Sequence, residues 1–319
     1  MKSKPAVLGY PNSNNLGDFI QSIAAAAWMK PQHPKRIDRD QLHQYQGPPV
    51  KLVMNGWFME EPSNWPPSEK IQPLFISFHL NPTAERGMLT SEGIQYFKKH
   101  QPIGCRDAYT QKTLEKLGVQ TYFSACLTLT LKRTNPIKSE KKRNGILVLS
   151  PLERLLPQQE TARQQGLKHL FLAIVQKLKQ PFKSNKYTKA MNRLEAYLSQ
   201  MNEKVEFRTQ LMPTGTYSEK DRIKAAEEQI EQIASAKLVI TSRIHTALPA
   251  AAFGTPVIFL SDGLEHPNQK SRLEGLDSFF TIITSRQLKL QGNQIPAPKK
   301  IPKAIFDRFA NELNAFLID

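Results

Sequence analysis

Residues 237–260 read KLVITSRIHTALPAAAFGTPVIFL. Leu238, Val239 and Ile240 form the β-branched run of a parallel strand buried on both faces. Ala247, Ala250, Ala251 and Ala252 keep the next helix slim enough to lie close on a sheet. Gly254 stops that helix and Pro256 prevents its resumption. Val257–Leu260 then opens a second strand. Pro249 is expected near the first helical turn, where a missing N–H costs little. Ser242, Arg243 and His245 fall in the turn at the carboxyl end of the first strand, the edge where open α/β sheets bind ligands. A guanidinium and an imidazole at the mouth of a helix suit an anionic, phosphorylated substrate. The same residues also fit a histidine capping its own helix and an arginine in a structural ion pair.

Working outward, the pattern repeats. Strands are expected at Pro5–Tyr10, Val50–Asn55, Leu74–Phe78, Ile103–Arg106, Val119–Phe123 and Leu127–Leu131. Helices are expected over Gly17–Met29, from a Thr90 cap to His100, and from an Asp107 cap through Leu117 to Gly118. After the polar, charged stretch Lys132–Asn144, strands resume at Gly145–Ser150, Val205–Arg208, Leu238–Thr241, Val257–Leu260 and Phe280–Thr284. This alternation predicts an α/β protein of two Rossmann-like domains, residues 1–135 and 143–319, facing a cleft. A last helix near Pro302–Leu317 is placed to pack back on the first domain, a point the sequence leaves open.

A length of 319 residues suits two domains of about 100–200 residues each. The net charge of +16 is concentrated: residues 132–189 carry 14 Lys and Arg against Glu140, Glu153 and Glu160. Nucleic acid, an anionic membrane surface or an acidic glycan would each match such a face, as would plain solvation. No zinc-finger spacing, RNP-like aromatic pattern or Walker loop accompanies it, so nucleic acid is not expected. Leu167, Leu170, Phe171, Ile174, Val175 and Leu178 recur at helical spacing beside Lys168, Lys177 and Lys179, with Lys183, Lys186 and Lys189 following. That amphipathic basic helix suits either its own sheet or peripheral contact with an anionic membrane. Cys105 and Cys126 have no metal-ligand spacing and read as small buried hydrophobes of a reducing cytosol. The start MKSKPAVLGYPN has no signal-peptide pattern, and no apolar run approaches a transmembrane length. A cytoplasmic location is expected, at most peripheral at the inner membrane surface.

Three motifs stand in order: Asn14-Asn15-Leu16-Gly17-Asp18 after the first strand; Cys105-Arg106-Asp107 with Thr110 and Leu114; and Ser242-Arg243-Ile244-His245 before Ala251-Ala252-Phe253-Gly254-Thr255-Pro256. Together they resemble the polysaccharide pyruvyl transferase family, whose pattern is an N-x-G-D turn, an R-D-x-x-S/T helix start and an S-R-x-H segment ending in G-x-P. The resemblance covers most of the chain. It implies a GT-B-like arrangement of the two domains and transfer of a pyruvyl group from phosphoenolpyruvate to sugar hydroxyls as a cyclic ketal, with no cofactor or metal. Many relatives carry an Asp-Pro pair where this chain reads Ser124-Ala125-Cys126-Leu127. That departure points to a subgroup with another acceptor.

Under that resemblance the chemistry needs a cationic clamp, an acid for the methylene carbon and a base for the attacking hydroxyl. Arg243 offers a planar fork for phosphate or carboxylate, joined on the donor side by Ser242, Thr246, Arg272 and Arg106. His245 is the candidate acid. Asp18, in a helix-start turn, is the candidate base or a cap. Asn14, Asn15, Gly17, Asp107, His79 and Trp57 are the acceptor-side candidates, with Phe58 beside Trp57 as a second ring that sits equally well in a core. The acceptor is a glycan or a lipid-linked glycan. Two other readings stay open on the sequence: a GT-B glycosyltransferase using a nucleotide sugar, and a non-catalytic binder of acidic glycan or membrane.

Overall fold

A computed structural model describes residues 3–29, 34–134, 143–156, 184–265, 267–291 and 294–318. The first sheet contains β1 (Lys4–Gly9), β2 (Lys35–Asp38), β3 (Val50–Phe58), β4 (Ile71–Leu80), β5 (Ile103–Cys105) and β6 (Thr121–Phe123), in the order β2-β1-β3-β4-β5-β6. The second contains β7 (Ile146–Leu149), β8 (Val205–Arg208), β9 (Leu238–Thr241), β10 (Val257–Leu260) and β11 (Thr281–Ile283), in the order β11-β10-β9-β7-β8. Every neighbouring pair is parallel. The protein is therefore α/β with two Rossmann-like sheets. In each, strand order reverses once, between β1 and β3 and between β7 and β9, and the crevice at such a reversal is the usual ligand site.

The longer helices are α1 (Leu16–Ala26), α2 (Ser91–Lys99), α3 (Ala108–Glu115), α4 (Glu219–Ser235), α5 (Ile244–Phe253) and α6 (Lys303–Ile318). One apolar core runs through both sheets, joining Val7, Leu52 and Phe78 of the first to Leu147, Val239 and Phe259 of the second through Phe19, Ala226 and Ile230. Ile146, Val148 and Ile240 point to the other face of the second sheet and pack with Leu194 and Leu260. That two-sided burial is why these strands read as continuous apolar runs. Helix α6 lies against the first sheet: Phe309 and Leu313 enter the shared core, Tyr122 donates to Glu312, and Arg308 donates to the Phe123 carbonyl at 2.9 Å.

Several local expectations need correction. Strand β2, with the polar sequence KRID, was not foreseen. β3 and β4 extend past their expected ends, so Trp57, Phe58 and His79 lie within strands rather than after them. Phe58 is a core ring against Phe78 and Trp65. Leu127–Leu131 is not a strand: Leu127–Thr130 is a 3-10 helix running into a short α-helix. Ala125 (φ +59°) turns the chain, and Thr130 Oγ1 donates to the Leu127 carbonyl at 2.8 Å, giving the backbone a local alternative to a ladder. Pro249 sits in the second turn of α5, not the first. The basic amphipathic stretch Leu167–Leu178 and Lys183 lie outside the described residues. Cys105 and Cys126 are buried and unpaired, and burial pushes both thiols up. Among the described residues, no helix is long and apolar enough to cross a membrane.

Candidate functional site

The turn between β9 and α5 is shaped by its own residues. Ser242 Oγ donates to the Leu260 carbonyl at 2.7 Å and accepts from Leu152 N at 3.0 Å, so it locks this turn to β10 and to the loop after β7. Ser242 thus braces the turn while also lining the pocket beside it. His245 has non-helical backbone angles (φ −81°, ψ +15°) inside the first turn of α5. The cause is Pro249, four residues on: its ring crowds the His245 carbonyl and has no N–H to offer it. Helix α5 has no side-chain cap, so His245 is not spent on capping. Its ring is buried, and Nε2 has no hydrogen-bond partner among the described residues. Arg243 does make an ion pair: its Nε donates to Glu153 Oε2 at 2.9 Å and its Nη2 to the same oxygen.

Around this turn lies a small, partly open pocket whose lining includes Asn15, Arg154, Gln210, Ser242, Arg243, His245 and Arg272. It occupies the strand-order reversal of the second sheet, because Arg154 follows β7 and Arg243 follows β9. The guanidiniums act on one another. Burial, then Arg106, Arg154 and Arg243, pull the Arg272 guanidinium down to about 9; burial and Arg243 pull Arg154 down to about 10. Burial, then Arg106, Arg272, His79 and Arg243, drive His245 well below its ordinary range. Glu153 is the carboxylate paired with this cluster, and it engages Arg243. Such a concentration of cations repels itself, and an anion seated in the pocket would offset that repulsion.

The first sheet contributes a buried dyad. Asp107 caps α3, accepting from Thr110 N at 2.9 Å, and its Oδ2 lies 2.5 Å from His79 Nδ1 near the end of β4. Burial lowers His79 to about 4 despite Asp107. Burial alone would raise the Asp107 carboxyl, but His79, Arg106 and the Thr110 amide outweigh it and hold the group low. The pair is therefore a neutral imidazole donating Nδ1–H to a carboxylate, which leaves His79 Nε2 with its lone pair and no partner among the described residues. Arg106, fully buried, has its Nε 3.6 Å from Asp107 Oδ2, and its guanidinium makes no hydrogen bond among the described residues. Ser124, at the position of the missing Asp-Pro pair, accepts from Ser77 N at 2.9 Å and donates to the Cys105 carbonyl at 3.0 Å.

The turn after β1 meets the second half of the chain. Asn15 is the N-cap of α1, its Oδ1 accepting from Gly17 N at 3.1 Å. Asn14 is exposed, and its carbonyl accepts from Met212 N at 2.7 Å. At Gly17 a Cβ would run into Gln210 Nε2 and lie 3.0 Å from His245 Cβ, so any larger residue would push the Gln210 side chain aside. Asp18 accepts from Ser13 Oγ at 2.6 Å and from Gln21 Nε2 at 3.4 Å. Thr246 is fully buried and donates to Gln210 Oε1 at 2.6 Å, which removes it from the pocket wall. Trp57 has one ring face covered by the Arg39 guanidinium, 4.5 Å from its centroid.

The structure thus brings Arg243, His245, Arg272, Asn15 and Gly17 together, with Arg106 and His79 close enough to affect the titration of His245. Glu153, Arg154 and Gln210 were missed by sequence reasoning. All three follow strand ends, Glu153 and Arg154 after β7 and Gln210 after β8, so the same edge argument applied to those strands would have found them. Among the described residues, no group of three or more His, Cys, Asp or Glu side chains could hold a metal ion.

The model of the polysaccharide pyruvyl transferase family matches residues 15–263. No curated protein matches the chain. Among solved structures, an uncharacterized protein from Klebsiella pneumoniae subsp. pneumoniae is similar at 11% identity and TM-score 0.45, over 88% of this chain and 93% of that one. The UDP-GlcNAc 2-epimerase of Methanocaldococcus jannaschii is similar at 10% identity and TM-score 0.45, over 98% of this chain and 100% of that one. The wall teichoic acid polymerase TagF follows at 8% identity and TM-score 0.39, over 99% of this chain and 83% of that one. By the family match, which spans most of its length, the chain belongs to the polysaccharide pyruvyl transferase family.

Proposed function

We propose that this family member transfers a pyruvyl group from phosphoenolpyruvate to two hydroxyls of a glycan or lipid-linked glycan, forming a ketal and releasing phosphate. The observation that carries the reading is the gathering of Arg154, Arg243 and Arg272 around His245 at the start of α5, with Arg106 close enough to act on the same imidazole and Glu153 paired with Arg243. Phosphoenolpyruvate carries a phosphate and a carboxylate, and guanidiniums clamp both by paired hydrogen bonds.

In this reading His245 delivers a proton to the methylene carbon, which becomes the methyl group. The anionic donor offsets the surrounding guanidiniums and raises the imidazole towards its working range, so His245 charges only when the donor is bound. His79 Nε2, with Asp107 holding its Nδ1–H, accepts the proton of the attacking hydroxyl as the first C–O bond forms at the central carbon. The second hydroxyl then forms the other C–O bond as the C–O bond to phosphate breaks, and its proton leaves with the phosphate. The two hydroxyl protons thus balance the new methyl hydrogen and the protonated phosphate. Asp18, Asn14, Asn15 and Trp57 border the acceptor side and orient the sugar, and Gly17 keeps that side in contact with His245.

The test is calorimetric titration with phosphoenolpyruvate for wild type and Arg243→Ala, followed by phosphate-release assays with candidate glycans. Saturable binding lost in the variant supports the reading. Binding of a uridine or guanosine diphosphate in place of phosphoenolpyruvate would sink it in favour of nucleotide-sugar transfer.

A further inference from the structure

We propose that Gln210 is a specificity-determining residue that holds the donor anion through its Nε2, a role none of the sequence motifs contains. The inference rests on the donor reading above and assigns one more contact to the same pocket. Gln210 lies just after β8, is almost fully buried, and lines the pocket with Arg154, Arg243, His245 and Arg272. Its placement is fixed from several directions. Its backbone N donates to Ser150 Oγ at 2.7 Å in the loop after β7, and its carbonyl accepts from Leu16 N at 2.9 Å at the start of α1. Its side-chain Oε1 accepts from Thr246 Oγ1 at 2.6 Å.

That last bond decides the chemistry. A carboxamide has one acceptor end and one donor end, and Thr246 takes the acceptor end. Nε2 is therefore turned away from α5 towards Gly17, beside the pocket that Gln210 lines. Gly17 leaves it room, and a ligand oxygen in the pocket is its natural partner. Among guanidiniums, a neutral donor adds a directional contact without adding to their mutual repulsion. It reads where an oxygen sits, whereas the arginines mainly read charge. Because Leu16 and Thr246 both hang on this residue, Gln210 also couples the acceptor-side turn to the donor-side helix.

The experiment is calorimetric titration of the full chain with phosphoenolpyruvate and, separately, inorganic phosphate. The proteins compared are wild type, Gln210→Met, Gln210→Glu and Thr246→Val, with the unliganded Tm of each. Methionine keeps the volume but has no donor, and losing one hydrogen bond to a charged group weakens binding about 10- to 100-fold. Glutamate keeps an acceptor for Thr246 but turns a carboxylate oxygen on the anion, so binding is expected to vanish. Thr246→Val lets the amide turn and falls between wild type and Gln210→Met. Thr246 does not line the pocket, so this variant still reads the contact if the Gln210 variants fail to fold. Variants that lower Tm yet bind as tightly as wild type would make Gln210 a strut and overturn the inference. Wild type binding phosphate but not phosphoenolpyruvate would overturn the donor reading alone, with the variants then read against phosphate. Wild type binding neither would overturn both.

Discussion

His79 Nδ1 lies 2.5 Å from Asp107 Oδ2, and both side chains are completely buried. The two residues stand 28 positions apart in sequence, one near the end of β4 and the other capping α3. Asp107 thus has two tasks: it satisfies the first turn of α3, and it fixes which imidazole nitrogen of His79 carries the proton.

Asp107→Asn separates those tasks. Asparagine caps a helix about as well as aspartate, so α3 should persist, while the buried Arg106 guanidinium loses its carboxylate and Tm should fall. The imidazole loses its charged partner, and loss of a positioned general base typically lowers turnover about 10²- to 10⁴-fold. Phosphate release with an active acceptor measures it. A near-normal rate in the folded variant would remove the dyad from the chemistry.

The buried histidines make stability depend on pH in a defined direction. His79 is lowered from 6.5 to about 4 by burial, and His245 is lowered well below 6.5 by burial and then the arginines. The unfolded chain takes up protons at these residues near pH 6.5 while the folded chain does not. Their contribution is therefore intact above about pH 6.5 and is lost as pH falls, for His79 down to about pH 4. Asp107, held low, loses its share only below its ordinary value of 3.8. Denaturant melts from pH 7.5 to 4 should show stability falling steadily below 6.5. Anionic donor binding near pH 6.5 should also take up protons, seen as a buffer-dependent enthalpy. A flat profile with no proton uptake would contradict this picture.

Glu153 competes with any ligand for Arg243. In Glu153→Gln the guanidinium is freed, but its repulsion with Arg154 and Arg272 loses its internal counter-ion. The expected outcome is a lower Tm without ligand and a larger rise in Tm on adding phosphate or phosphoenolpyruvate. Equal ligand-induced shifts in variant and wild type would mean that Arg243 does not leave Glu153 to bind.

Much of this arrangement was legible in the chain. The βαβ reading of Lys237–Leu260 placed β9, α5 and β10 correctly, because β-branched runs, an alanine-rich helix and Gly254 in the left-handed region (φ +68°) each act locally. Leu127–Leu131 misled because alternating Leu and Thr imitates a strand, while the Thr130 hydroxyl satisfies the Leu127 carbonyl locally instead. The pairing of His79 with Asp107 and the orientation of Gln210 were not legible. Both arise from contacts between segments far apart in sequence, whose meeting depends on strand order rather than on any local pattern. The anion pocket lay between these cases: Arg243 and His245 announce themselves beside a helix start, whereas Arg154 is one basic residue among many.

Pro249 offers a test in which stability and activity should move apart. Its ring denies the His245 carbonyl a helical partner and holds His245 at ψ +15°, outside the helical range. Pro249→Ala supplies an N–H at position 249, so the first turn of α5 can regularise and gain a hydrogen bond. Removing an interior proline from a helix is ordinarily stabilising, by up to about 3 kcal/mol where the site relaxes fully. Here the added bond would rotate the His245 backbone and swing its ring away from the pocket. Tm should rise or hold while phosphate release falls at least about 10-fold, the scale of a misplaced proton donor. If Pro249→Ala is as active as wild type, the kink is incidental to the site, and the orientation of His245 must come from the packing of its ring alone.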